Sequence, residues 1–261
     1  MKLESRALSV WLLLMLSGCG RDDAVEQGFA GLGAQVEGFE QVMPGRTLDF
    51  PSDHQAHPGF RIEWWYVTAN LQDRQGRDWG VQWTLFRQAM QAQDPDQAAA
   101  GWDSAQVWLG HAAVTGDDVH LYADRLGRGG IGQAGVTDAP FTAWIDHWSL
   151  GAPANQTEEG AARLGELRVQ AGTDTFAYDL QLSSDGPLVL HGQAGVSRKS
   201  TGDQASYYYS QPFYRVRGEI DVHGERFPVT GQAWLDREWS SQPLAADQRG
   251  WDLFSLHLDI G

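Results

Sequence analysis

The residues best suited to chemistry in this sequence are two acids near its C-terminal end. Asp236 and Glu238 flank Arg237 within the tryptophan-rich run at residues 233–240 (AWLDREWS). Successive side chains of a β-strand point to opposite faces, so both acids are expected on one face and the arginine on the other. Two neighbouring carboxyls partly buried by tryptophan disfavour each other's charge, which keeps one of them protonated near neutral pH. A protonated carboxyl can serve as a general acid.

Aromatic side chains near these acids would complete a site for acid catalysis. Protonation of a carbon-carbon double bond leaves a cation, which the face of a tryptophan or tyrosine stabilises. We expect Asp236 to act as the general acid beside Glu238. The aromatic candidates are Trp239 and Trp251 for the wall, and Tyr207 and Tyr209 for a hydroxyl that orients water. The alternative is structural, with an arginine pairing with the acids to lock a junction in the fold.

Two aromatic triplets, Trp64-Trp65-Tyr66 and Tyr207-Tyr208-Tyr209, suggest a surface for an apolar ligand. In a strand the outer members of each triplet share one face and the middle member takes the other. Core packing is the default interpretation, and binding of a long apolar or polyene ligand at a barrel opening is the alternative. The candidates for ligand contact are Trp64, Trp65, Trp239, Trp251 and His111.

Histidines and acids earlier in the chain suggest a second chemistry. Asp53, His54, His57 and Glu63 are of the types that bind zinc. Their spacing matches no established metal motif, and Pro58 keeps the segment extended. We therefore predict no metal and no cofactor, with His54 and His57 as the only metal candidates and hydrogen bonding at the barrel mouth as their expected role. Serine hydrolysis is also disfavoured, because the chain has no G-x-S-x-G sequence.

The elements that must position these residues are short strands. The 31 glycines and 12 tryptophans, set among alternating runs, favour an all-β protein. Turns that contain glycine or acids join most of the runs, which predicts antiparallel hairpins that close into a barrel. The predicted strands cover residues 61–71, 79–87, 105–115, 119–125, 141–150, 163–170, 175–182, 188–191, 206–217, 219–222 and 227–235.

An internal echo guides the prediction of domains. Residues 61–86 and 233–258 both contain a Glu-Trp pair, then a polar turn, then an alternating strand that begins with tryptophan. The echo predicts one opening unit used twice. We expect a first barrel at residues 46–220 and the start of a second barrel at 221–261. The second unit has only its opening strands, and a half barrel would expose an apolar face and an unpaired edge. We therefore expect the sequence to be a fragment in which the second barrel is only partly present.

Six ordered motifs resemble the AttH-like, carotenoid 1,2-hydratase-related proteins, a family that includes hydroxyneurosporene synthase and is often described as predicted secreted hydrolases. The motifs are FPSDHQAHP, RIEWWY, GHAA, HGQAGVS, YYYS and WLDREWS, and the resemblance covers about residues 46–261. It implies a pair of lipocalin-like antiparallel β-barrels. It also implies a hydro-lyase that adds water across a double bond of an acyclic carotenoid, although the family name transfers fold better than reaction.

The N-terminus predicts export and lipidation. Lys2 and Arg6 precede an apolar run too short to span a bilayer, as in a signal peptide. Residues 16–19 (LSGC) resemble a bacterial lipobox, in which Cys19 carries a lipid. We expect a signal peptide at residues 1–18, a flexible tether at 19–45, and a lipoprotein of the cell envelope that faces the periplasm. Gly20 in place of aspartate favours the outer membrane.

The formal net charge of −15 makes nucleic acid an unfavourable partner. Together the patterns predict a lipid-anchored protein that binds a lipophilic, isoprenoid-like or polyene-like small molecule and hydrates or isomerises one of its double bonds. Whether it is an enzyme stays open at this point. The alternatives are a non-catalytic periplasmic carrier of lipophilic molecules and a secreted, metal-dependent hydrolase.

Overall fold

The computed structural model describes residues 37–92, 101–200, 202, 204–242, 248 and 254–256. The predictions for the signal peptide, Cys19, the first part of the tether and Trp251 fall outside these residues. Within the described part of the chain, no helix is both long enough and apolar enough to cross a membrane.

Within the described residues, thirteen strands form one antiparallel sheet. Their bounds are Ile62–Asp73 (β1), Asp78–Ala89 (β2), Gln106–Thr115 (β3), His120–Arg128 (β4), Ala134–Asp138 (β5), Phe141–Ile145 (β6), Trp148–Gly151 (β7), Glu166–Gly172 (β8), Phe176–Ser183 (β9), Val189–Leu190 (β10), Val196–Arg198 (β11), Ala205–Val222 (β12) and Glu225–Ser240 (β13). One short helix, α1, spans Glu158–Arg163, and single 3-10 turns lie at Ser52–His54 and Gly101–Asp103.

The order of the strands is β4-β3-β2-β1-β13-β12-β9-β8-β7-β6-β5, and β10 and β11 pair with β12. The sheet curls until β4 lies against β6, so the barrel is nearly closed. Curling of this kind leaves little exposed edge. The structure therefore confirms the predicted all-β class and its lipocalin-like antiparallel barrel.

Alternation along the strands fills the interior of the barrel. The odd-numbered residues of β1 and β2 point inward, and Trp65 and Trp83 are fully buried there. Trp65 stacks on Trp108 of β3, with 6.0 Å between the ring centroids, and Trp148 is equally buried on the opposite side. Trp65, a predicted ligand contact, is therefore a core residue.

The position of β13 corrects the predicted boundary near residue 220. His223 and Gly224 both have positive φ, which is the conformation of a two-residue hairpin turn, so the chain reverses directly from β12 into β13. From Ser240 to Val229, β13 pairs with β1, from Ile62 to Asp73. Residues 225–240 therefore lie inside the sheet of the first barrel, not at the start of a second one.

The two similar segments, residues 61–86 and 233–258, are neighbours in the sheet where the structure describes both. In the register of β1 and β13, Glu63 faces Trp239 and Trp64 faces Glu238. The two Glu-Trp pairs are therefore antiparallel neighbours. Because of this pairing, each side chain of β13 from Val229 to Ser240 has a side chain of β1 beside it on the same face of the sheet.

A bulge between Gln211 and Tyr214 divides β12 in two. Residues after the bulge pair with β9, whereas residues before it pair with β10 and β11. The earlier half carries a second apolar core, which we call the end cluster. Its buried members are Val42, Leu48, Phe60, Val196, Ala205, Tyr207, Tyr209 and Trp239.

We predict that Gly231→Ala destabilises the barrel by about 1–3 kcal/mol, the usual cost of overpacking. A Cβ at residue 231 of β13 would lie 2.1 Å from the carbonyl oxygen of Asn70 on β1, so the two central strands would have to separate. Urea unfolding measures the effect. Gly80→Ala is the control, because its Cβ would meet nothing closer than 3.6 Å, and equal unfolding midpoints for the two variants would contradict the close approach.

Candidate functional site

Because side chains alternate along β13, Arg237 lies on one face of the sheet and the two acids, Asp236 and Glu238, lie on the other. Arg237 points inward, where its guanidinium lies 3.9 Å from the ring centroid of Trp65. Asp236 faces Tyr66 and Glu238 faces Trp64 in the register with β1, on the outer face of the sheet. Both acids therefore share one face opposite the arginine, as the sequence predicts.

Asp236 is the centre of what we call the outer acid cluster. Its side chain is 1% exposed. Its Oδ1 accepts hydrogen bonds from the Tyr208 hydroxyl at 2.9 Å, the Ser210 hydroxyl at 2.5 Å and the Trp234 indole N–H at 2.8 Å. Its Oδ2 is buried and has no hydrogen-bond partner among the described residues. One oxygen of this carboxyl is thus held by three donors, and the other is buried without a partner among the described residues.

His191 continues this hydrogen-bond chain. Its Nε2 lies 2.6 Å from the oxygen of Ser210, and its ring stacks on Tyr208 with 3.9 Å between centroids. The Ser210 hydroxyl donates to Asp236, so its oxygen accepts from the Nε2–H of His191. Burial lowers the pKa of His191, with the carboxylate of Asp236 opposing that shift and Lys199 adding to it.

Glu238 has its own partners on the same face. The ammonium of Lys199 lies 2.5 Å from Oε1, and the hydroxyl of Ser206 donates to the same oxygen. Burial raises the pKa of Glu238 despite Lys199 and Ser206, and the charge of Asp236 contributes in the same direction. Glu238 is therefore a buried acid whose pKa lies above its ordinary value.

Aromatic side chains extend the outer face beside the acids. Tyr66 and Trp64 are partly exposed on β1, and burial together with the charge of Asp236 raises the pKa of Tyr66. Trp64 lies 5.8 Å from Phe86, measured between ring centroids, and Phe86 lies 5.9 Å from His111. His111 also bonds Asp124 through Nδ1 at 2.5 Å. Two predicted ligand contacts, Trp64 and His111, are thus on the same face as the acids.

Besides Trp65, three predicted site residues lie on the inner face, and the strand period explains the correction. Ser210 faces Asp236 in the register of β12 and β13, so the even-numbered residues of β12 before the bulge accompany the acids. Tyr208 is therefore the tyrosine that bonds Asp236. Tyr207 and Tyr209 point into the end cluster with Trp239, which stacks on His57 instead of forming a wall beside the acids.

Other contributors were not among the predicted site residues. His191, Lys199, Ser206 and Ser210 reach Asp236 or Glu238 through register and through the path of the chain around β10 and β11. The YYYS motif contains two residues that donate to Asp236, Tyr208 and Ser210. Identifying them within the motif required the register of the strands.

Glu63 is the centre of a second group, which we call the inner ion cluster. It is 0% exposed and accepts from Arg87 Nε at 2.9 Å, Arg237 Nη2 at 2.5 Å and His57 Nδ1 at 2.6 Å. Burial alone would raise the pKa of Glu63, but Arg237, His57 and Arg87 outweigh it and hold the pKa well below its ordinary range. The arginine on β13 therefore pairs with Glu63 and not with the outer acids.

The two histidines named as metal candidates have hydrogen-bonding roles beside this cluster. His54 accepts from the Tyr209 hydroxyl at Nδ1 (2.6 Å) and donates from Nε2 to the Ala162 carbonyl (3.1 Å). Burial lowers the pKa of His54 to about 3, so the ring is neutral. His57 bridges Glu63 and Asp53 through its two ring nitrogens. Over the described residues, no group of three or more histidines, cysteines or acids is arranged to hold a metal ion.

A nearly closed antiparallel barrel with a lipocalin-like fold, carrying a pair of acids on its outer face, defines the class of this protein. The AttH-like family model matches residues 41–261. The chain belongs to the AttH-like family, which confirms the resemblance seen in its motifs. A comparison with curated protein sequences found no match.

Two solved structures are similar to the chain. An AttH protein from Nitrosomonas europaea is 35% identical, with a TM-score of 0.65 over 79% of this chain and 60% of that chain. Kievitone hydratase from Nectria haematococca is 14% identical, with a TM-score of 0.53 over 79% of this chain and 56% of that chain, which shows a shared fold. The chain therefore matches only about 60% of the length of the Nitrosomonas protein.

We predict that Glu63→Gln costs about 3–5 kcal/mol of stability at neutral pH, because Arg87 and Arg237 lose the carboxylate that neutralises them. The folded pKa of Glu63 lies below its ordinary value of 4.5. Its contribution is therefore complete above about pH 4.5 and is lost as the pH falls toward the folded pKa. Urea unfolding from pH 7 to pH 3 should show a flatter acid dependence in the variant.

Glu159→Gln is the control for this pH series, because Glu159 is 75% exposed and pairs with Arg163 only at the surface. Its stability should equal that of the wild type within about 0.5 kcal/mol. Parallel acid dependence in the Glu63→Gln variant and the wild type would show that Glu63 does not anchor the inner ion cluster.

Proposed function

We propose that this protein binds an unsaturated lipophilic small molecule against the outer face of β1, β12 and β13 and hydrates one of its carbon-carbon double bonds. The observation that carries the proposal is the state of Asp236. It is a buried carboxyl with three donors on Oδ1, while Oδ2 has no partner among the described residues. An oxygen in that position can carry the proton that an alkene receives.

The chemistry follows from the surroundings of the carboxyl. Asp236 gives the proton of Oδ2 to the less substituted carbon of the double bond, and the electron pair of that bond forms the new C–H bond. The remaining carboxylate is stabilised by the three donors on Oδ1, which strengthen as charge develops. The cation formed at the other carbon faces Trp64, Tyr66 and Trp234. Water adds there and loses one proton to the carboxylate of Asp236, which gives the neutral alcohol and restores the acid.

Glu238 sets the charge of the site. Its raised pKa means that it stays protonated to higher pH than an ordinary glutamate. Whenever Glu238 is protonated, it does not repel negative charge on Asp236, which is on the same face two residues away. Lys199 limits this effect through its ion pair with Glu238. We infer that Glu238 tunes the acid and does not itself contact the substrate.

The apolar floor of the site supports an isoprenoid or polyene as substrate. Phe86 is 36% exposed and lies between Trp64 and His111. A partly exposed aromatic row of this kind binds flat or extended apolar molecules. Hydration is also the reaction in the name of the Nectria haematococca relative, and we extend it to this chain as part of the proposal.

A second candidate function is a non-catalytic carrier of lipophilic molecules. The same aromatic row favours it, because the row would bind such a ligand without any proton transfer. The metal-dependent hydrolase has less support, since both ring nitrogens of His54 and of His57 already have protein partners.

The test of catalysis is Asp236→Asn, assayed with lycopene, an acyclic carotenoid with terminal double bonds, in detergent micelles. We expect hydration to fall about 10²–10⁴-fold, the usual contribution of a general acid, with little change in lycopene affinity. The product is measured by mass spectrometry as the gain of one water. Asp185→Asn is the matched control, because Asp185 is 90% exposed and pairs with Arg215 at the surface.

The outcomes separate the two functions. Equal turnover in Asp236→Asn and the wild type would reject Asp236 as the acid. Lycopene binding without turnover in the wild type would favour the carrier, and Phe86→Ser should then weaken binding while Asp236→Asn leaves it unchanged.

We also propose that Cys19 carries a lipid anchor and holds the protein at the periplasmic face of the cell envelope, with the outer membrane favoured. An anchor would keep the protein at the surface where a lipophilic substrate concentrates. Cells fed labelled palmitate should incorporate the label into the wild-type protein, and Cys19→Ser should remove both the label and the membrane association. Equal fractionation of the two proteins with membranes would contradict the anchor.

A further inference from the structure

Three loops at one end of the barrel each expose a large apolar side chain. We call this the apolar end, and it is the end at which β1 and β3 begin and β2 and β13 end. The exposed side chains are Met43, Met90 and Trp102. The backbone N–H of Met90 donates to the carbonyl oxygen of Ala105 at 2.9 Å, and that of Met43 donates to the Tyr207 hydroxyl at 2.8 Å. Two of these loops are therefore held against the barrel by hydrogen bonds.

None of the turns at the opposite end of the barrel exposes a large apolar side chain. These turns are residues 74–77, 116–119, 173–175 and 223–224. Asp117, Asp118 and Asp174 are exposed there instead. A single exposed apolar residue is ordinary on a protein surface, whereas a set in the loops of one end, with none at the other, marks an interaction surface.

The chain also enters the barrel at the apolar end. Phe39 and Val42 are buried, and the backbone N–H of Glu40 donates to the carbonyl oxygen of Gly59 at 2.9 Å. This segment is therefore packed onto the barrel beside the start of β1. A lipid on Cys19, which precedes the segment in the chain, would connect to the barrel at the same end as the three exposed side chains.

The overall charge of the chain favours one kind of lipid surface over another. Its formal net charge is −15, so an anionic surface repels the protein at low ionic strength. Trp102 needs no charge to be stabilised at a bilayer, because an indole ring prefers the zone between the headgroups and the acyl chains. Methionine is a flexible apolar side chain that adapts to irregular surroundings. The apolar end therefore suits a surface of zwitterionic phospholipid.

We propose that the apolar end docks on a zwitterionic phospholipid surface and inserts Met43, Met90 and Trp102 at the level of the headgroups. The inference deepens the proposed function and rests on the proposed envelope location, because the anchored chain reaches the barrel at this end. The anchor holds the protein near the bilayer, and the three side chains determine which end of the barrel faces it.

Docking in this orientation brings the aromatic row of the outer face close to the lipid. Trp64 is the third residue of β1, and Phe86 is the fourth from the end of β2. A strand rises about 3.3 Å per residue, so the row lies within about 10 Å of the ends of these strands. A lipophilic molecule would then pass from the bilayer to the row without crossing a wide layer of water.

The test is fluorescence quenching of the wild-type protein in vesicles of phosphatidylcholine with brominated acyl chains. Bromine quenches a tryptophan only at short range, and Trp102 is the only exposed tryptophan among those that the structure describes. Trp102→Phe keeps an apolar side chain and removes the fluorophore. The quenching by brominated lipid should therefore fall at least about twofold in this variant.

Tyr122→Trp in the Trp102→Phe background is the matched control. Tyr122 is 71% exposed, close to the 72% of Trp102, but it lies near the start of β4, toward the opposite end of the barrel. The transferred tryptophan should not be quenched. Quenching of this tryptophan to the wild-type level would overturn the docked orientation, as would undiminished quenching in Trp102→Phe.

The choice of lipid has its own measurement. Brominated phosphatidylglycerol should quench Trp102 less than brominated phosphatidylcholine does at low salt, because the negative charge of the protein opposes its approach. Stronger quenching by phosphatidylglycerol would overturn the zwitterionic surface as the partner.

Failure of the docking and failure of the proposed function are distinguishable. Quenching of Trp102 in a protein that incorporates no palmitate would remove the anchor and support the docking. A palmitate-labelled protein whose Trp102 is not quenched would keep the anchor and overturn the docking. The quenching experiment contains no lycopene, so its result does not depend on whether the protein hydrates a double bond.

Discussion

The arrangement of both faces depends on one buried carboxylate, that of Glu63. It lies at the end of β1 and binds Arg87 on β2, Arg237 on β13 and His57 in the preceding loop. Three strands and a loop therefore meet at one negative charge in a medium where an unpaired charge is very costly. Among the residues that the structure describes, no other carboxylate is bonded to both arginines, so the inner ion cluster fixes which way β13 faces.

The direction of Arg237 then determines the direction of the acids. Because a strand alternates, turning the arginine inward places Asp236 and Glu238 outward. A slip of one residue would move these acids into an interior filled by Trp65 and Trp83, where carboxylates have no compensating donors. The inner ion cluster and the outer acid cluster thus lie on opposite faces of one strand. The ion pairs of the inner cluster therefore stabilise the register that positions the outer one.

Sequence patterns predicted what depends on local alternation and missed what depends on register. The opposite faces of Asp236 and Arg237 follow from period 2 alone, and the antiparallel barrel follows from the strand and turn pattern. The choice of Tyr208 over Tyr207 and Tyr209 required knowing that Ser210 faces Asp236. The pairing of β13 with β1 joins residues far apart in the chain, and no local pattern states which distant strand will be the neighbour. His191 was not among the predicted site residues for the same reason.

The place of the acids on the outer wall has a consequence for selectivity. A ligand enclosed inside a barrel must fit the cavity along its whole length, so such a cavity selects ligands by their total size. In the reaction that we propose, an acid on the outer wall would meet only the reacting segment of a molecule, while the rest would extend along or beyond the aromatic row of Trp64 and Phe86. A site of this kind distinguishes chain ends from one another and is tolerant of how long the chain behind them is.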